Sequence, residues 1–167
     1  DRLVEVDLLN RAALLLQRQG RFRVKGAEKA RGGARLALIS LINRRPPEAL
    51  AALDASVAPG LGAGLAAARN RLRARAMFEM GDANSALVQI NRDKSRDADE
   101  LRADIHWRTQ SWAQAAPVFE RLVGKLGTDG RSLDDEAALL ILNWVVSASM
   151  SEDRRSLAKA RQRYGKS

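Results

Sequence analysis

The chain predicts an all-α protein, and three observations carry that expectation. Apolar residues make up 46% of its 167 positions, and most are alanine and leucine, which favour helix. Its β-branched residues never gather into an alternating run, so no segment qualifies as a strand. Apolar positions recur every three to four residues, the period of a helix with one buried face. A chain of 167 residues also makes one ordinary domain with a sizeable core, in no need of a disulfide or metal to hold it together.

About nine helices follow in order. The first is expected near 3–18, with Val4, Leu8, Ala12 and Leu15 on one face. The second, near 22–43, carries Ala34, Leu38, Leu41 and Ile42. Its Gly32-Gly33 pair should weaken or bend it unless another backbone packs there. Pro46 and Pro47 end that helix and open a third at 47–56, since proline suits a first helical turn. The glycine-rich stretch 58–64 is a loop. It neither follows a strand nor ends in Gly-Lys-Ser/Thr, so it does not read as a phosphate cradle. Helices near 64–80 and 83–91 are split by Gly81-Asp82. Asp97 with Glu100 forms a capping-box pattern for a helix near 97–109. Another helix spans 112–125. After a loop at Gly127-Thr128-Asp129-Gly130, Ser132 is placed to cap 133–149 and Ser151 to cap 152–163.

Internal repetition organises these helices. Ala37, Ala74 and Ala103 are each followed twelve residues later by a second alanine, Ala49, Ala86 or Ala115. Four residues on comes a larger apolar side chain, Leu53, Ile90 or Phe119. A turn lies between the paired alanines: Arg44-Arg45-Pro46, Gly81-Asp82, or Gln110-Ser111. A small residue on each helix lets two helices approach, and the larger one fills the groove to the next pair. This pattern resembles the tetratricopeptide repeat. The second alanines are 37 and 29 residues apart, against a family period of about 34. The best single match runs from Ala74 through Gly81-Asp82 to Ala86, and Trp112 sits where the family often has an aromatic. The resemblance covers 30–125 well. The first repeat has Pro46-Pro47 in place of the turn glycine, and a pair at 133–163 matches poorly at Trp144 and Ser156. The resemblance implies antiparallel helix pairs stacked as a short right-handed solenoid spanning 1–167 as one domain. A non-repeating helical bundle is the alternative. The chain begins at Asp1 almost inside a helical pattern, which suggests a fragment of a longer protein or a processed one.

Chemistry is conspicuously thin. With no cysteine and with His106 as the sole histidine, thiolate catalysis and a transition-metal site are not expected, and no cofactor motif appears. Asp97, Asp99, Glu100 and Asp104 imitate a carboxylate site, but negative charge is favoured at a helix start by the dipole. No serine lies in a nucleophile-elbow sequence. The expectation is a non-catalytic protein. No stretch approaches the roughly 20 apolar residues of a membrane span, and a chain without cysteine suits cytosol and periplasm alike.

Charge supplies the partner expectation. Residues 1–75 hold 15 Lys or Arg against 6 Asp or Glu, while 76–167 hold 14 against 14. The net +9 therefore sits in the first half. Such a field favours an acidic partner, and arginine, at 23 against 6 lysines, pairs bidentately with carboxylate or phosphate. In the resembled family the first helix of each pair lines a concave binding surface. That implies a surface of Arg31, Arg71, Arg75, Phe78, Glu100, Asp104, Trp107 and Arg108, with Phe78 and Trp107 as apolar anchors for a peptide or partner protein. Alternatively Arg69, Arg71, Arg73 and Arg75 are a solvated helix surface, and the tryptophans belong to the core. Nucleic-acid binding through the basic half is the second functional expectation, though aromatics for base stacking are scarce at 4%.

Overall fold

A computed structural model describes Arg11, residues 25–124 and residues 135–164. The helix expected near 3–18, the glycine loop at 127–130 and the Ser132 cap lie outside the described residues, apart from Arg11, which is helical. Among the described residues there are eight helices and no strand. They are α1 (Gly26–Ile42), α2 (Pro46–Ala55), α3 (Ala63–Glu79), α4 (Ala83–Gln89), α5 (Arg96–Arg108), α6 (Trp112–Gly124), α7 (Asp135–Met150) and α8 (Arg154–Tyr164). The chain falls into two compact units, Asp1–Asp93 and Lys94–Ser167.

In the first unit α1 packs on α2 and α3, α2 on α3, and α3 on α4. Ala37, Ala49, Ala52, Leu53 and Ala76 form a buried cluster, flanked by Leu36, Leu41, Leu50 and Leu72. In the second unit α5 packs on α6, α6 on α7, and α7 on α8. Its larger core contains Phe119, Leu122, Val123, Trp144 and Ala148. All nine repeat positions named above are buried, from Ala37 to Phe119.

Four helix pairs share one turn geometry. Each first helix ends in a residue of positive φ: Arg44 (57°), Gly81 (92°), Gln110 (54°) and Glu152 (56°). The amide of that residue donates to the carbonyl three residues back, and the next amide to the carbonyl five back. The second set comprises Arg45 to Ser40 at 2.8 Å, Asp82 to Met77 at 3.0 Å, Ser111 to His106 at 2.8 Å and Asp153 to Ala148 at 2.8 Å. This is the Schellman closure, which satisfies the last carbonyls of a helix and reverses the chain at once. The fourth pair shares the turn but shifts its buried positions. Trp144, Ser156 and Ala160 are buried 8 residues before and 4 and 8 after Glu152. The other three pairs bury positions 7 before and 5 and 9 after.

Two expected caps are corrected. Ser95, not Asp97, caps α5, accepting from the Ala98 amide at 3.2 Å. Asp97 lies inside the first turn, and Glu100 accepts from Arg96 rather than reaching back to a free amide. Ser151 ends α7 instead of opening α8, donating to the Ser147 carbonyl at 2.8 Å. Asp153 caps α8: it accepts from the amides of Arg155 and Ser156 and from the Ser156 hydroxyl. The amides gathered there hold its carboxyl below the usual range, with the Ser156 hydroxyl bond as the largest cause.

Gly33 explains how α1 tolerates a glycine pair. A Cβ there would stand 1.7 Å from Ser56 Oγ and 2.9 Å from the Ala52 carbonyl, whereas Gly32 faces open space. The missing side chain at Gly33 is what lets the end of α2 lie against α1.

Candidate functional site

The shared turn gives every first helix a common register. Counting 13, 10, 6 and 2 residues back from the left-handed residue picks one face, as spacings of three and four do. On α1 that face is Arg31, Ala34, Leu38 and Ile42; on α3, Ala68, Arg71, Arg75 and Glu79. On α5 it is Asp97, Glu100, Asp104 and Arg108; on α7, Leu139, Leu142, Val146 and Met150. None of these side chains is buried. Six of the eight residues expected at the binding surface fall on this face: Arg31, Arg71, Arg75, Glu100, Asp104 and Arg108.

The two aromatic anchors do not. Phe78 is 7% exposed and belongs to the interior of the first unit. Trp107 is half-buried and meets Trp112 edge-on at 5.2 Å and Phe119 at 5.9 Å. These edge-to-face contacts fix the ring in the core of the second unit.

Most charges along α3 and α5 are already engaged. Arg71 pairs with Asp93 at 2.7 Å in a largely buried bridge. Arg73 pairs with Asp54 at 2.5 Å, and Arg75 with Glu79 at 3.1 Å. Arg96 holds both Glu100 and Glu136, at 2.7 and 2.8 Å. Asp99, one of the four carboxylates that imitated a site, is buried and accepts from Arg102 and from Arg121 on α6, each at 3.0 Å. It ties α5 to α6.

Arg69 departs furthest from a solvated surface. It is 8% exposed. Its Nη1 donates to the Ala30 carbonyl at 2.6 Å and to Ser56 Oγ at 3.0 Å, and its Nη2 to the Leu53 carbonyl at 2.6 Å. Burial lowers its pKa, Arg73 lowers it further, and Asp54 opposes both. A planar fork with several fixed donors suits this three-helix junction as an ammonium would not. Within the basic run, Arg69 ties α3 to α1 and α2 and Arg73 ties α3 to α2, while Arg71 pairs with Asp93 and Arg75 with Glu79 on its own helix.

On α1 and α7 the open part of this face is largely apolar. Leu38 is 50% exposed and Ile42 57%, while Leu139, Leu142 and Met150 are each more than half exposed. Beside the α1 pair stand Arg31, in an exposed ion pair with Glu28, and exposed Arg35. The sequence alone does not mark these apolar residues as binding residues. The signal that finds them is their distance from the turn, which only the left-handed residue defines.

Neither of two cavities lined by described residues carries a reactive constellation. One of about 420 Å³ is lined by Glu120, Trp144, Lys159, Gln162 and Arg163, but Lys159 and Glu120 are paired at 2.6 Å. The Trp144 indole nitrogen, without a partner, is sealed from solvent and offers that cavity no donor. Another, of about 170 Å³ beside Arg69, is smaller than the usual ligand pocket of roughly 300–1,000 Å³. His106 Nδ1 is buried without a partner, and burial, aided by Arg102, lowers the His106 pKa. Among the described residues no group of His, Cys, Asp and Glu is arranged to hold a metal ion, and no helix is long and apolar enough to cross a membrane. Comparison with family models, curated proteins and solved structures finds no match.

Proposed function

We propose that the chain is a non-catalytic interaction scaffold of the tetratricopeptide type, its helix pairs stacked as a short right-handed solenoid. The observation that carries the reading is the fourfold turn with its common register. A chain that closes successive helix pairs in the same way, with alanines buried on both sides of three of the turns, has the local grammar of stacked repeats. The packing of α1 on both α2 and α3 also supports stacking of successive pairs.

The partner docks on the outward face of α1. Leu38 and Ile42 of α1 supply apolar contact, and Arg31 and Arg35 flank them. The Arg31–Glu28 pair is more than half exposed on both sides, and such pairs are worth about 0–1 kcal/mol, so a partner carboxylate displaces it cheaply. The matching ligand is an acidic, amphipathic peptide or helix. Nucleic-acid binding is the weaker reading, because Arg69, Arg71, Arg73 and Arg75 have protein partners.

The test is affinity capture from a source lysate at low and moderate salt, comparing the wild type with Leu38→Glu/Ile42→Glu. A protein held at moderate salt and lost from the double variant supports the scaffold. Nucleic acid alone, released as salt rises, replaces it with a phosphate-binding function.

A further inference from the structure

We infer that α7 is the seam of a twofold homodimer, in which two copies of this helix pack antiparallel through Leu139, Leu142, Val146 and Met150. The inference rests on the α7–α8 hairpin and is independent of the repeat reading.

Helix α7 is apolar on both sides. Ala137, Trp144 and Ala148 are buried. The opposite side carries the four-residue stripe, with Leu139, Leu142 and Met150 at 57%, 56% and 59% exposure. The spacings of three, four and four residues keep the stripe on one line. A helix apolar around its circumference belongs in an interior, and the described residues bury only one side of this one.

The charges at its ends identify the cover. Asp135 stands one turn before Leu139, at the start of the stripe. Arg154 and Arg155 stand just past Met150, across the turn into α8. All three are exposed, and none has an ion-pair partner among the described residues. An antiparallel copy that sets Leu139 against Met150 also sets Asp135 beside Arg154, at both ends together. One surface that carries an acid at one end and bases at the other is complementary to itself under a twofold axis, the commonest oligomer symmetry. A foreign partner would have to bring the same charge order. Four side chains on one helix fall short of the roughly 800 Å² per partner of a standard interface, so the dimer is weak and forms in the micromolar range.

Sedimentation of the full chain across that range tests this. The wild type should pass from one chain mass to two as concentration rises. Leu142→Glu/Val146→Glu should stay at one chain mass with unchanged helical circular dichroism. Asp135→Arg alone and Arg154→Asp/Arg155→Asp alone should each weaken self-association roughly tenfold. Mixing those two variants should restore it, because the mixed dimer regains an opposite pair at both ends. A wild type of one chain mass throughout, stripe variants that associate like the wild type, or a mixture no tighter than its components would each overturn the seam. The first of these results would leave the stripe to a different protein.

Discussion

Gly33, Ser56 and Arg69 show how much one missing side chain decides. Without a Cβ at Gly33, Ser56 approaches α1, and its hydroxyl sits where Arg69 donates to it. Gly33→Ala should destabilise the protein by about 1–3 kcal/mol, the range for overpacking a tight contact. Gly33→Ala/Ser56→Gly should recover part of that loss, and denaturant titration of the four members of the cycle measures the coupling. Equal losses in the single and double variants would show that contact with Ser56 is not the cause. The sequence made Gly33 legible as a site of close approach or weakness, but it could not reveal Arg69. A basic residue among alternating arginines reads as surface, and its burial depends on carbonyls supplied by two other helices. His106 gives a pH test at the same level of detail. Its folded pKa lies below the ordinary 6.5 because burial, then Arg102, disfavours the charged form. As pH falls through the ordinary 6.5 the unfolded chain takes up the proton first, so stability should drop as pH falls below that value. His106 is the sole histidine, and His106→Gln should flatten that slope. Denaturation midpoints that fall equally in both proteins would assign the slope to other groups.

The helices were the most legible elements, because each combines apolar period with a stop signal. Pro46-Pro47 and Gly81-Asp82 mark real turns, and the helix expected at 64–80 is observed at Ala63–Glu79. Caps are less legible in the sequence, since neighbouring residues compete for the same amides. Ser95 and Asp97 both suit the start of α5, and backbone direction selects Ser95. Ser151 and Asp153 both suit the start of α8, and the Schellman turn carries Asp153 to the cap. The turns were only partly visible for the same reason: Gly81 announces a left-handed residue, whereas Arg44, Gln110 and Glu152 do not. Those three adopt a conformation that costs a side-chain-bearing residue about 1–2 kcal/mol, partly offset by the extra freedom glycine has in the unfolded chain. Arg44→Gly, Gln110→Gly and Glu152→Gly should therefore each stabilise by about 0.5–1 kcal/mol. The sites lie in separate turns and should add, raising Tm by roughly 3–12 °C for the triple variant. Gly81→Ala should shift Tm the other way. A thermal melt of the triple variant at or below the wild-type Tm would refute a strain cost in these turns.

Across the whole chain, packing within each unit is local in sequence: each described helix rests on helices one or two ahead or behind. Locality separates a stacked array from a single cooperative bundle. In an array each pair stabilises its neighbours and little else, so damage should spread by nearest contacts and fade. In a bundle with one shared core the same damage would lower every protection factor together. Gly33→Ala is suited to the test, because its clash lies at one junction of the first unit and touches no residue of the second. Native-state hydrogen exchange of this variant should show faster opening over α1, α2 and α3, a smaller change in α4, and unchanged protection in α6, α7 and α8. A uniform rise in exchange from α1 through α4, with no gradient inside the first unit, would favour the non-repeating bundle. A graded result would favour the repeat reading and would also account for the surface chemistry. A scaffold stabilised pair by pair can leave outward positions such as Leu38 and Ile42 apolar without jeopardising distant helices. One cooperative core would expose its entire stability to any substitution made there.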